Sequence, residues 1–362
     1  MARLGPTSTK SNFAVLLFAA TCLAQSTGGS DLPKPPSVDA ISTSVSVVTA
    51  PTTVRTKSGE FITDLAVQDF EVYDNDKIQK ITADLRDSPL SMVVAIQRSA
   101  DMTWILPKVQ RIGAALTDLV AGNDAEIAVV GFDHRVEVTQ DFTGDGDKVS
   151  QALMDLKTGS YSHAAIDAVM KSVQMLQHRP PDRHRVILVV SQKWDRGSQA
   201  SLREVLLQAQ FANVTIYSLN ISTLAAEATS EPMPQPRPAV PFIAQHLPPG
   251  ASLTPTTLDQ NYYLGNWVPL FVNIFHSAED VVTDNTLEVL TRFTGGDGYS
   301  FHNDRSLGQA LQDLSDDLHS QYLLSYSPSN LGEGGFHQIR VVIKRTELHV
   351  RTRPGYWIAG KP

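Results

Sequence analysis

The stretch Pro89-Leu-Ser-Met-Val-Val-Ala-Ile-Gln-Arg-Ser-Ala-Asp101 decides the fold. Residues 92–96 form an apolar run without alternation, and the run stops abruptly at the polar cluster Gln97-Arg-Ser-Ala-Asp101. An unbroken run of this length suits a central strand buried on both faces, as in a parallel sheet. The polar cluster then falls at the carboxyl end of that strand, where open α/β sheets place their ligand sites.

The pattern on the carboxyl-terminal side supports this reading. Strand patterns at 126–131, 136–138, 185–190 and 214–219 alternate with helical patterns at 105–120, 148–156, 164–176 and 199–212. Such alternation builds βαβ units around a mostly parallel sheet. Residues 126–138 contain two strand patterns joined by Asp133-His134, which predicts a hairpin and one antiparallel edge. The α/β pattern resumes with helices at 284–292 and 306–320 around a strand at 298–302. Asp147 or Ser150 is expected to cap the helix after Asp145-Gly-Asp147, and Gly295-Gly-Asp-Gly298 to cap and turn between elements.

Both ends of the chain read as β. Residues 38–85 alternate or are β-branched, with Asp74-Asn-Asp76 as a turn, and 322–326, 337–344 and 349–352 are strand-like. The two ends are therefore expected to pair into one accessory antiparallel module, with boundaries at 38–87 and 321–362 around an α/β body at 88–320. Eight prolines between Pro232 and Pro255 exclude regular structure from 229–257, which reads as a loop insertion. The aromatic residues Tyr262, Tyr263, Trp267 and Phe271 after it are expected to fold back onto the body.

Composition narrows the function classes. A chain of 362 residues with 42% hydrophobic and 19% charged residues is an ordinary globular protein. A net charge of −8 argues against general affinity for nucleic acid. Arg3 and Lys10, an apolar stretch at 13–24 and the small-residue pattern Cys22-Leu-Ala24 read as a signal peptide cleaved after Ala24. Residues 25–37 then form a flexible leader, no membrane span remains, and the periplasm or the extracellular medium is the expected destination. Cys22 is the only cysteine, so the mature chain is expected to rely on core burial rather than a disulfide.

Three stretches carry a resemblance to a known family. They are Asp69-Phe-Glu-Val-Tyr-Asp-Asn-Asp76 with Gln79-Lys-Ile-Thr82, then Ser88-Pro-Leu-Ser-Met-Val-Val94, and Tyr322-Leu-Leu-Ser-Tyr-Ser-Pro328 through Arg351-Thr-Arg-Pro-Gly-Tyr356. On these the chain resembles von Willebrand factor type A proteins, and more narrowly the bacterial VWFA-related group typical of Acidobacteria. The resemblance covers nearly everything after the leader. It implies a Rossmann-like α/β domain for protein interaction or adhesion. Its ligand site is a divalent cation held by D-x-S-x-S after the first strand, a Thr from a second loop and an Asp after the fourth strand.

At those positions this sequence departs from the pattern. The first loop reads Gln97-Arg-Ser-Ala-Asp101, the second puts His163 at the Thr, and the third reads Ser191-Gln-Lys193 with Gln192 at the Asp. Two carboxylates have become neutral amides, Arg98 and Lys193 stand beside them, and only Ser99 is unchanged. A bare divalent ion is harder to hold without those charges. The expectation is therefore a degenerate site with no bound cofactor. Arg98 or Lys193 would supply the missing positive charge to a protein partner's acidic residue, with Asp101 beside them. An alternative keeps a transition metal or a hydrolytic activity at Asp101 and His163, with Asp195 nearby, since one histidine and two carboxylates suit zinc. The plainer expectation for His163 is that it caps the helix beginning near Ala164. No G-x-S-x-G elbow, H-E-x-x-H motif or phosphate-binding glycine loop appears, so no catalytic residue is assigned. His178, His184, His276, His302 and His337 read as surface or satisfied residues.

Overall fold

The computed structural model describes residues 47–84, 88–113, 116, 124–192, 195, 197–221, 268–276, 285–345 and 347–358. The expected signal peptide and leader, the proline-rich stretch at 229–257, Tyr262, Tyr263, Trp267 and Lys193 lie outside the described residues.

The opening stretch is strand β5 (Leu90–Gln97), and every residue after Leu90 in it is buried. It pairs in parallel with β6 (Glu126–Phe132) on one side and β8 (His184–Ser191) on the other. The six-stranded sheet runs β10-β9-β8-β5-β6-β7, with β7 (Val136–Thr143) antiparallel on the edge and β9 (Val214–Ile221) and β10 (Gly298–Phe301) continuing the parallel half. The two-residue period of a strand sends Met92, Val94 and Ile96 to one face, where they join Ile105, Leu106, Val109, Leu153 and Leu314. Val93 and Ala95 take the opposite face, covered by α3 (Ala165–Gln177). Each of these fully buried aliphatic side chains contributes about 1.5–3 kcal/mol relative to exposure, which is why the run tolerates no polar residue before Gln97.

Helix α1 (Leu106–Val109) continues as a 3-10 turn at Gln110–Ile112 rather than as the uniform helix expected from 105 onward. Helix α2 (Gly146–Met154) is capped by Asp145, whose carboxylate accepts from the backbone N–H of Asp147 and Lys148. The expectation of Asp147 or Ser150 as the cap was two or more residues late, because the cap must precede the first helical turn whose N–H groups it receives. Helix α4 (Leu202–Phe211) links β8 to β9, and α5 (Val268–His276) and α6 (Thr286–Thr294) precede β10. Gly295 ends α6 at φ 85°, a left-handed position that favours glycine. Helix α7 (Asp304–Ser320) is the last α-helix among the described residues. Phe271 of α5, the described member of the expected aromatic cluster, is buried against Phe293. None of the described helices is long and apolar enough to cross a membrane.

The chain ends build two four-stranded antiparallel sheets, β13-β1-β11-β4 and β14-β12-β2-β3. Strand β1 (Val48–Thr56) lies between β11 (Tyr322–Tyr326) and β13 (Leu348–Thr352), while β2 (Phe70–Asp74) pairs with β12 (Gly335–Ile343). The remaining strands are β3 (Lys77–Gln79), β4 (Ile81–Asp84) and β14 (Gly355–Ile358). Val54, Phe70, Val72, Tyr322, Leu324, Tyr326, Val341 and Tyr356 form the core of the module. Amino- and carboxyl-terminal strands thus complete each other's sheets, as the sequence predicts for an accessory module built from both ends.

Candidate functional site

Three loops meet at the carboxyl edge of the central sheet and are laced by backbone hydrogen bonds. The N–H of Ala100 donates to Ser160 O at 2.8 Å, and the N–H of Gly159 donates to Arg98 O at 2.7 Å, which ties the first loop to the second. The N–H of Ala164 donates to Asp133 O at 2.7 Å, which ties the second loop to the β6–β7 turn. Asp133 is buried and accepts from the N–H of Arg135 at 2.8 Å and of Ser160 at 2.9 Å. Burial opposes its ionisation, but the Ser160 and Arg135 N–H groups, with Arg98 and His134 nearby, outweigh this and hold the carboxyl below its ordinary range. Gly159 is required at this contact, since a Cβ there would lie 2.0 Å from the Asp133 carboxylate.

Gln97 sits at the centre, fully buried. Its Oε1 accepts from the Ser191 hydroxyl at 2.8 Å and from the N–H of Gln192 at 2.8 Å. A backbone N–H can only donate, so the atom facing Gln192 must be the oxygen, and Nε2 therefore faces Ser99. Nε2 donates to Ser99 Oγ at 2.6 Å, and the Ser99 hydroxyl donates in turn to Asp101 Oδ1 in a very short contact. Loop three, β5 and loop one are thus joined in a single circuit. A carboxylate at position 97 would present only acceptors, and the single proton of the Ser99 hydroxyl could not serve both it and Asp101. The amide supplies both an acceptor and a donor from one side chain. A hard divalent ion, which the resemblance would place here, does not suit this set of donors. The Gln97 and Ser99 oxygens already hold hydrogen bonds, and an amide N–H points at Ser99.

Arg98 leaves this point and crosses β6. Its Nη2 pairs with Glu137 Oε2 at 2.9 Å, and its Cδ lies over Gly131, where an added Cβ would be 3.2 Å away. Gly131 is the β6 residue directly opposite Glu137 on β7, so the missing side chain opens the path for the pair. His163 is buried, at 1% exposure, but the helix cap falls on Ala164 and no side chain caps there. The expected capping by His163 is replaced by a neighbouring loop. Asp195 Oδ1 accepts from the N–H of Ile166 at 3.1 Å, and Ser198 Oγ accepts from that of Asp167 at 3.1 Å. Asp195 also holds the Ser198 hydroxyl at 2.6 Å. Among the described residues no three His, Cys, Asp or Glu side chains come together as a ligand set.

The sequence did not single out Asp133, Gly131, Glu137 or the exposed aromatics of these loops. The available signals were a glycine inside an apolar strand and an Asp at a strand's carboxyl end. Tyr161 is 84% exposed and Trp104 42% exposed, on the second and first loops respectively.

No family model matches the chain, and no curated protein matches it. Among solved structures the chain is similar to the SpRpn10 VWA domain, at 15% identity over 38% of this chain and 77% of that one, with a TM-score of 0.31. It is also similar to an aerotolerance-related membrane protein from Bacteroides fragilis NCTC 9343, at 12% identity over 63% and 98%, with a TM-score of 0.39. A third is proximal thread matrix protein 1 from the mussel byssus, at 10% identity over 69% and 50%, with a TM-score of 0.42. By its own strand order and register, the chain has a von Willebrand A-like α/β fold with an accessory β module completed by both chain ends.

Proposed function

We propose that this chain is an exported protein-interaction domain of the adhesion type, and that its binding edge works without a divalent ion. The hydrogen-bond circuit of Gln97 carries the reading, because it orders the first and third loops by neutral groups alone. The signal-peptide pattern at 1–24 supports export, and the exposed Tyr161 and Trp104 support a protein partner, since aromatic side chains dominate binding energy at interfaces. The role is binding rather than catalytic. His134 Nδ1 contacts both Ser160 Oγ at 2.7 Å and Asp133 Oδ1 at 3.2 Å. One ring nitrogen cannot take a serine proton while an acid orients the ring through it.

The test is affinity capture from the native envelope and secreted fractions with the immobilised chain, run in EDTA and in magnesium. The same protein is expected to be retained in both, and to be lost with Tyr161→Ser. Retention only in magnesium, or retention indifferent to Tyr161→Ser, contradicts the proposal.

A further inference from the structure

We infer that the residue received at this edge is a cation, an arginine of the partner protein, with Asp101 as its acceptor. The inference rests on the binding role just proposed and reverses the charge that the resemblance implies for the partner. An acid-presenting partner needs a free positive charge at the edge. Arg98 does not offer one, since its guanidinium is turned across Gly131 and paired with Glu137, which leaves an acid to the exposed Arg135 of the β6–β7 turn. The other carboxylates of the edge are committed as well. Asp133 holds the N–H groups of Arg135 and Ser160, and Asp195 holds those of Ile166 and Ser198.

Asp101 differs from them. Its Oδ1 takes the Ser99 hydroxyl, it is only partly buried, and among the described residues no cation forms an ion pair with it. Its orientation is fixed from beneath by the buried pair Gln97 and Ser99, which the N–H of Gln192 anchors in turn, so little rotamer freedom is lost when a ligand docks. The aromatics stand on the same two loops. Trp104 follows Asp101 by three residues, and Tyr161 follows Ser160, whose carbonyl holds the N–H of Ala100. A fixed carboxylate and exposed aromatic residues carried on the same two tied loops suit the recognition of a guanidinium, which hydrogen-bonds in its plane and stacks through its face.

An unbiased peptide library displayed on phage, panned in EDTA against the full chain, tests this directly. Enriched peptides are expected to share an arginine. They are expected to weaken by about 10- to 100-fold on Asp101→Asn, the range of a charge-assisted hydrogen bond to a fixed partner. Asparagine keeps the Oδ1 that accepts from Ser99, and an unchanged melting midpoint confirms that the variant is folded. Asp101→Arg is expected to select acidic peptides instead. Enriched peptides sharing Asp or Glu, lost on Lys193→Glu or Arg135→Glu but not on Asp101→Asn, overturn the inference and leave the metal-free reading standing. Peptides that bind this edge only in magnesium overturn the metal-free reading itself. Peptides indifferent to both Asp101→Asn and Tyr161→Ser overturn both.

Discussion

Asp74→Ala is expected to lower the unfolding free energy by about 3–5 kcal/mol, the range for breaking one partner out of a buried charged network. Asp74 is fully buried at the end of β2. Its Oδ1 accepts from His337 Nδ1 at 2.7 Å and Asn330 Nδ2 at 2.9 Å. Its Oδ2 accepts from the hydroxyls of Tyr326 at 3.0 Å and Tyr356 at 2.6 Å. One amino-terminal carboxylate thus satisfies donors from β11, β12, β14 and the loop before β12. Alanine would strand the donors without solvent, whereas Asp74→Asn keeps an acceptor and is expected to lose less. Urea unfolding at neutral pH measures both.

The pH dependence has a definite sign. Burial opposes ionisation of Asp74, but the hydrogen bonds from His337, Tyr356 and Asn330 outweigh it and hold the carboxyl below its ordinary value of 3.8. A group whose folded pKa is depressed contributes stability above its unfolded pKa and loses it as pH falls through the folded value. Wild type is therefore expected to lose stability below about pH 4, and Asp74→Asn to show a flatter acid limb.

Arg351→Ala is expected to cost a similar amount, about 3–5 kcal/mol, by leaving Asp317 buried and unpaired. Asp317, on α7, has no exposed surface. It accepts from the Thr53 hydroxyl of β1 at 2.8 Å, from the Tyr299 hydroxyl of β10 at 2.9 Å, and from the Arg351 guanidinium of β13. Arg351 also pairs with Asp297 at 2.9 Å and donates to Thr53 at 2.8 Å. These residues come from both the terminal β strands and the α/β body, so the network fastens one to the other. The double variant Arg351→Met with Asp317→Leu is expected to recover most of the loss, because it removes the desolvated charges together. Thermal unfolding of the single and double variants checks this. A double variant no better than Arg351→Ala would mean that the loss comes from packing rather than from the stranded charge.

The central sheet was legible because its signals are local. The run at 92–96, its arrest at Gln97 and the alternation of strands and helices needed no knowledge of distant partners. The side-chain destinations were not legible, because they depend on register between distant elements. Arg98 reads as a free cation until β6 and β7 align Gly131 with Glu137. His337 reads as one more unremarkable histidine until β12 pairs with β2 and buries it against Asp74. His163 sits one residue outside the helix it was expected to cap, because Asp195 and Ser198 arrive from another loop to take the free N–H groups. What the sequence could not say is that Gln97, more than a lost carboxylate, is a donor as well as an acceptor.

The most direct test of that role is thermal unfolding of the wild type and Gln97→Leu in EDTA and in millimolar magnesium, calcium or zinc. Leucine approximates the shape of glutamine but leaves the Gln192 N–H without its acceptor, while the Ser191 hydroxyl keeps the Gln192 carbonyl at 2.9 Å. It is expected to cost about 1–3 kcal/mol, the desolvation penalty of a buried unsatisfied group. The wild-type midpoint is expected to be the same in EDTA and in each ion, and Gln97→Leu to be lower by the same amount in all of them. A wild-type midpoint that rises with one of these ions and ceases to rise in Gln97→Leu would contradict the account.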